Sequence, residues 1–326
     1  MRGLRRGHPF FFGGGFLWKT MSEKMEYTIA RTERPACYPE RLTDYAHAWD
    51  SRDAEYDSLV PDFTSPVVLA NAENLDSGGK WADDANVDPV CLGKRKTFVN
   101  GDETELSGSG VSYDTKRQRF LFPGGRTGIR GRGLLGRYGP NHAADPIVTR
   151  FNPVTGNLEV VVVVRSDCDM IVLPGGMVNP GEDVAKTLYS EFTEEAARPN
   201  GAVDRLFTEC KRRTVYKGPV DDRRTTDEAW IETVAVHFHA PNDIAVGLVL
   251  EVADTNEIRR VMWMPVHEIQ SMYASHKMWV DAVARDMASV DKSFTSQAVS
   301  AVAAHPLVSA VVAAAIAGVL ARYARD

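Results

Sequence analysis

The sequence predicts an α/β fold preceded by a smaller, loop-rich N-terminal body. Three observations carry this. LEVVVVVR (158–165) is a β-branched run of strand length bounded by turn signals. Residues 183–197 place Val184, Leu188, Phe192 and Ala196 every four residues, one apolar stripe of a helix. WIETVAVHFHA (230–240) alternates as a strand. Strands interleaved with helices are the pattern of an α/β domain.

In chain order, residues 1–25 form a leader or extension. MRGLRRGHPFFFGGGFLWKTMS (1–22) carries Arg2, Arg5, Arg6 and Lys19 and no acid. That fits an organelle transit peptide, a disordered extension, or a chain that starts at Met21 or Met25. Residues 26–143 are punctuated by Pro61, Pro66, Gly78, Gly79, Gly108 and Gly110, with PVVLA (66–70) reading as a short strand. Residues 144–290 form the main domain. There DMIVLPGG (169–176) is a strand entering a glycine loop, VMWMPVHEI (261–269) holds another strand, and 272–288 reads as a helix. Residues 291–326 are a linker and an apolar C-terminal helix, LVSAVVAAAIAGVLA followed by Arg322 and Arg325. This run is shorter than the ~20 residues of a spanning helix and too evenly apolar for an amphipathic one. A membrane anchor and a helix docked on the body or a partner both remain open.

The chain has 326 residues, 44% of them hydrophobic, enough for one large domain or two modest ones. A net charge of -6 argues against a general nucleic-acid binder, which would show a basic face. Cys37, Cys91, Cys168 and Cys210 lie far apart with no CxxC spacing. They suit neither a zinc site nor a disulfide framework and fit a reducing, intracellular compartment.

The chemistry concentrates in GGMVNPGEDVAKTLYSEFTEEA (175–196). Glu191, Glu194 and Glu195 fall at i, i+3 and i+4, so their carboxylates project together from one helical face. Like charges this close repel, and a hard divalent cation removes the conflict, because Mg²⁺ takes oxygen ligands and keeps waters free for substrate phosphates. Gly175 and Gly176 allow close backbone approach, and Gly181 a tight turn before Glu182. A solvated acidic face is the competing reading.

Read through Gly176, Glu182, Glu191, Phe192, Glu194 and Glu195, the stretch resembles the Nudix box, with Ser190 where the family has arginine, Ala197 in place of the late glycine and Arg198 in place of an aliphatic residue. GRTGIRGRGLLGRYGPNHAADPIVTRF (125–151), LPGGMVNPGE (173–182), YKGPVDDRRTTDEAWIETVAV (216–236) and YASH (273–276) are similar to the mitochondrial ADP-ribose pyrophosphatase type of that family, and to the homologous C-terminal domain of a melastatin TRP channel. VLAN and KWADD, between 68 and 84, extend the likeness weakly. The resemblance implies a Nudix fold, a mixed β-sheet sandwiched between helices, with the N-terminal body as a small cap and the substrate between the two. It implies Mg²⁺- or Mn²⁺-dependent hydrolysis of ADP-ribose to AMP and ribose 5-phosphate, an ADP-ribose sensor with little turnover, or hydrolysis of another ADP-linked compound.

Under that reading Glu191, Glu194 and Glu195 are the catalytic metal ligands, with Gly175 beside them. Arg126, Arg132 and Arg137, in a Gly-rich basic loop that also holds Arg130, offer guanidinium forks for phosphates or form a solvated surface loop. Asp222 and Arg224 match the family's DD-x-R-x-TD stretch, where phosphate or ribose contact is implied. Tyr273 matches an aromatic that faces the nucleotide. His142 and Asp145 are ligand contacts or turn formers, and Asp227, Glu228 and Glu232 are candidates for a general base by their place near an acidic loop. Lys186, one turn before Ser190, is a partial substitute for the missing arginine.

Overall fold

The structure is a computed structural model that describes residues 26–49, 55–72, 81–179, 181–253 and 255–289. The chain divides into two compact units, Met1–Val280 and Asp281–Asp326, and the fold and site below belong to the described residues of the first. The Arg-rich leader and the apolar C-terminal run lie outside the described residues. Among the described residues no helix is long and apolar enough to cross a membrane.

A seven-stranded mixed sheet forms the centre. Its strands are β1 Gly139–Phe151, β2 Leu158–Arg165, β3 Ile171–Val172, β4 Gly176–Met177, β5 Arg212–Pro219, β6 Ala229–His239 and β7 Ile258–Pro265. The order β5-β6-β1-β2-β7 forms the main path, with β4 added on β1 and β3 on β2. β6 and β1 run parallel from Ala229 opposite Gly139 to His239 opposite Thr149, and the other pairs are antiparallel. Val160, Val161, Val162 and Val163 on β2 are fully buried, as the unbroken β-branched run requires of a central strand covered on both faces.

The predicted helix is α1, Val184–Glu195, capped by Asp183, whose carboxylate accepts from Ala185 N at 3.0 Å. Its apolar stripe packs as the spacing requires: Leu188, Phe192 and Ala196 join one core with Val161, Val163 and Phe238 of the sheet and Val203 and Leu206 of α2, Gly201–Thr208. With one face of α1 fixed on the sheet, its glutamates are held in one orientation about the helix axis rather than left free to rotate.

One reading is corrected. PVVLA belongs to a helix, Pro66–Ala72, not a strand. Val68 and Ala72, four apart, are buried while Val67 and Leu69 are exposed, and Pro66 supplies a φ suited to the first helical turn. The long strand β1 runs through residue 143, where the sequence placed a domain boundary. Pro140 and Pro146 hid it, because proline is rare inside a central strand. The ladder accommodates Pro146: on the side away from β6, β1 is paired at 143–144 and again at 149–151, and Pro146 falls in the gap.

The N-terminal residues brace the loop between β5 and β6. Asp221 accepts from the backbone N–H groups of Ile29 and Ala30 at 2.9 and 2.7 Å. Arg41 donates to the carbonyls of Arg223 and Thr225, and the Tyr38 hydroxyl to that of Arg224. Buried Glu232 accepts from the Thr97 hydroxyl, Phe98 N and Trp230 Nε1. This part of the chain fixes one wall of the site from behind.

Candidate active site

A cleft of about 450 Å³ opens beside α1. Glu191, Glu194 and Glu195 line one side, with Gly175, Gly176 and Asp145; Asp222, Arg224, Tyr273 and His276 line it too, as do Arg165 and Glu257. The two glycines are needed for this approach. A Cβ on Gly175 would lie 2.2 Å from Asp145 Oδ1, and one on Gly176 would lie 2.3 Å from Glu191 Oε1.

The carboxylates are held by little else. Glu195 accepts from Gly175 N at 2.9 Å. Glu191 makes no ion pair with a basic side chain among the described residues. Its carboxyl is pushed up to about 8 by burial and by the negative charges of Glu195 and Glu194. Glu195 is raised to about 7, chiefly by burial, with the Gly175 hydrogen bond opposing. Burial raises Asp145 to about 7, although Thr233 donates its hydroxyl to it. Like charges gathered with no ion pair of their own among the described residues, all on oxygen donors, suit a hard divalent cation. Among the described residues no three His, Cys, Asp or Glu side chains already stand close enough to enclose an ion, so the donors would draw together around it.

Also in the cleft lining, Arg224 donates Nε and Nη2 to the Asp222 carboxylate at 2.9 and 3.0 Å. Burial acts to raise Asp222, and the charge and hydrogen bonds of Arg224 outweigh it, leaving the carboxyl below its usual range. The loop 273–276 is pinned by Tyr273 N on the Ile171 carbonyl at 3.0 Å. His276 Nδ1 accepts from Leu173 N at 2.9 Å, so in the neutral ring the proton sits on Nε2, 3.9 Å from Asp145 Oδ1. Burial pushes His276 down to about 4, so the ring is neutral near pH 7.

The structure therefore brings together Glu191, Glu194, Glu195, Gly175, Asp222, Arg224 and Tyr273. It does not bring Arg126, Arg132 or Arg137 to the cleft. Arg126 donates to the Ala46 and Ala48 carbonyls at 2.8 and 2.6 Å and lies over the Trp49 and Tyr56 rings. Fully buried Arg132 donates to the Asp83 and Gly136 carbonyls, and Arg137 lies beside Arg95 and Asp83. The base candidates are also occupied: Asp227 by Tyr56 and Thr127, Glu228 by Arg117, Glu232 by the contacts above. His142 lies against Phe98 instead, and Lys186 is exposed and pairs with Glu182 at 3.2 Å.

Sequence reasoning missed Arg165, Glu257 and His276 and left Asp145 undecided. Arg165 ends a valine strand and Glu257 stands in the turn before β7, so neither spacing nor periodicity marked them; His276 lay in the quoted YASH without a role.

Residues 141–284 match the family described as NUDIX domain and residues 42–139 the family described as NUDT9-like, N-terminal domain. The chain is similar to nudix hydrolase 6 of Caenorhabditis elegans, 37% identical over 247 residues that cover 74% of this chain and 87% of the relative. It is 37% identical to the mitochondrial ADP-ribose pyrophosphatase of Rattus norvegicus, covering 68% of this chain and 67% of that one. A transient receptor potential cation channel subfamily M member-like 2 of Nematostella vectensis is 36% identical over 76% of this chain, which spans 18% of the channel's length. With its glutamate-bearing helix set beside a glycine loop at a polar cleft, the chain belongs to the Nudix hydrolases, a family that works with divalent metal ions, and carries a NUDT9-like N-terminal domain.

Proposed function

We propose that this Nudix hydrolase cleaves the pyrophosphate of ADP-ribose to AMP and ribose 5-phosphate in the presence of Mg²⁺ or Mn²⁺. The observation that carries the reading is one cleft lined by Glu191, Glu194 and Glu195, by the Asp222–Arg224 pair and by Tyr273. The relative named ADP-ribose pyrophosphatase supports the substrate, and its mitochondrial location supports the same compartment here.

Glu191, Glu194 and Glu195, with the Gly175 carbonyl, would hold the cation. Bound there, a divalent ion supplies neutralisation of phosphate charge and a more acidic water. The chain's own residues do the rest. Arg224, oriented by Asp222, offers its remaining N–H groups to a phosphoryl or ribose oxygen. The Tyr273 ring offers an apolar face for the base. His276 Nε2–H is a neutral donor for a ribose oxygen. Glu257 lines the cleft near Glu191 and Glu195, and its charge is felt by both. Its carboxyl is the group placed to take a proton from attacking water. A sensor with little turnover is favoured by one observation, Ser190, which brings no charge to the glutamates.

The test is incubation of the full chain with ADP-ribose and Mg²⁺ or Mn²⁺, with AMP measured against a panel of ADP-linked sugars and dinucleotides. AMP from ADP-ribose at the highest kcat/KM of the panel supports the reading. Tight ADP-ribose binding without AMP supports the sensor, and faster cleavage of another compound replaces the substrate.

A further inference from the structure

The pyrophosphate substrate carries at least two phosphoryl charges, and of the arginines expected to meet them Arg126 and Arg132 are committed to backbone carbonyls elsewhere. Two arginines do line the cleft, Arg165 and Arg224. Arg165 is the last residue of β2 and stands where the chain leaves the sheet for the turn 166–170, on the rim shared with the glutamates. Its Nε and Nη2 donate to the Asp167 carboxylate at 2.9 and 3.3 Å. Asp167 also accepts from Arg223 Nη2 at 2.8 Å, so one carboxylate ties the end of β2 to the loop that carries Asp222 and Arg224.

This geometry has an electrostatic consequence. Arg165 and Arg224 lie close enough for the charge of one to oppose that of the other, and each is braced by a carboxylate on its own segment, Asp167 and Asp222, rather than by an acid shared between them. The charge of Arg165 also reaches Glu195 and His276. Two guanidiniums lining one cleft, with N–H groups left over after their carboxylate pairs, form a site that gains energy when an anion enters. The glutamates in the same cleft repel an anion unless a cation intervenes. A substrate with two linked phosphoryl groups satisfies both the arginines and the cation.

We propose that Arg165 is a pyrophosphate-positioning residue, gripping a substrate phosphoryl oxygen in concert with Arg224, and that Asp167 sets its orientation. This rests on the pyrophosphatase reading of the site and names a residue that neither the sequence motifs nor that reading assigned.

The experiment compares wild type, Arg165→Gln, Arg165→Lys and Asp167→Asn in steady-state kinetics with ADP-ribose, and in competitive inhibition by inorganic pyrophosphate and by adenosine. Loss of a charge-assisted phosphate contact raises KM and the pyrophosphate inhibition constant about ten- to hundredfold in Arg165→Gln, with adenosine inhibition unchanged. Arg165→Lys, which keeps the charge and loses the fork, falls between, and Asp167→Asn shows a smaller change of the same kind. Unchanged pyrophosphate inhibition in Arg165→Gln overturns the proposal. So does equal weakening of adenosine and pyrophosphate, which marks a merely structural role. If wild type does not cleave ADP-ribose, the functional reading fails by itself. Pyrophosphate binding to wild type and Arg165→Gln, followed by calorimetry with Mg²⁺ present, then decides Arg165 separately by the same criterion.

Discussion

Helix α1 and the loop 125–137 both crowd like charges, and they treat them in opposite ways. In the loop, Arg126 and Arg132 donate to backbone carbonyls and Arg130 pairs with Asp57, so these three guanidiniums are tied into the framework. On α1, Glu191 and Glu195 are pressed together at a cleft, relieved by one backbone N–H and by the charge of Arg165 acting on Glu195, with no ion pair to either among the described residues. Charge density alone does not distinguish a site from a scaffold. What distinguishes them is whether the fold supplies counter-charges and hydrogen bonds of its own.

The largest expected effect breaks the acidic side. Glu194→Gln with Glu195→Gln removes two charged cation ligands, at a cost of several kcal/mol in the transition state. AMP formation should fall by at least a thousandfold while the thermal midpoint stays level or rises, because like-charge repulsion is reduced. Wild-type turnover in the double variant would return α1 to a solvated acidic face.

The basic side predicts the reverse pattern. Arg132→Ala strands the buried Asp83 and Gly136 carbonyls and leaves a void, which costs about 2–5 kcal/mol. Denaturant unfolding should show that loss, with KM for ADP-ribose within about twofold of wild type, a change near the ~0.4 kcal/mol level of an indirect effect. A variant of full stability with a large rise in KM would put Arg132 back among the substrate contacts.

What the sequence showed and what it hid follow the same division. β2, α1 and β6 were legible because burial of an apolar face leaves a periodic trace, and the glutamates were legible because i, i+3, i+4 spacing fixes them on one face. The fate of the arginines was not, because their partners are backbone carbonyls of Ala46, Ala48, Asp83 and Gly136, and a carbonyl has no letter in a sequence. Arg165 and Glu257 were hidden for a related reason. They come from segments more than 90 residues apart and meet at the cleft through the antiparallel pairing of β2 with β7, in which Ile258 lies opposite Arg165.

A pH experiment sharpens the comparison with a moderate effect. Glu191, Glu195 and Asp145 are raised to about 8, about 7 and about 7, against ordinary values of 4.5 and 3.8. Between those limits the folded chain binds more protons than the unfolded one, so its stability falls as pH rises and levels off above about 8. Buried His237 and His276, lowered to about 3 and about 4, act in the opposite sense up to their ordinary 6.5. The diagnostic window is therefore pH 6.5 to 8.5. In chelator, the thermal midpoint should fall across it; with Mg²⁺ the fall should shrink, because the cation displaces the protons and stabilises the carboxylates. A midpoint that is flat or rising in chelator would mean the glutamates are already compensated.

The smallest expected effect concerns Ser190. Lys186 is committed to Glu182, so the helix itself provides no cation for Glu191 or Glu194. An arginine at 190 would stand one turn before Glu194, which is exposed, and an exposed pair at that spacing is worth roughly 0.3–0.5 kcal/mol. Ser190→Arg should thus lower the Mg²⁺ concentration for half-maximal rate by about twofold, raise kcat by no more than about that factor, and leave the KM for ADP-ribose in place. Its more informative use is in combination. If Arg165 grips phosphate, Ser190→Arg acts on the glutamates instead and cannot restore the KM lost in Arg165→Gln, so the two changes combine additively. If the KM is restored, the two cations serve the same glutamates, and Arg165 is the residue that has stood in for the arginine absent from the helix.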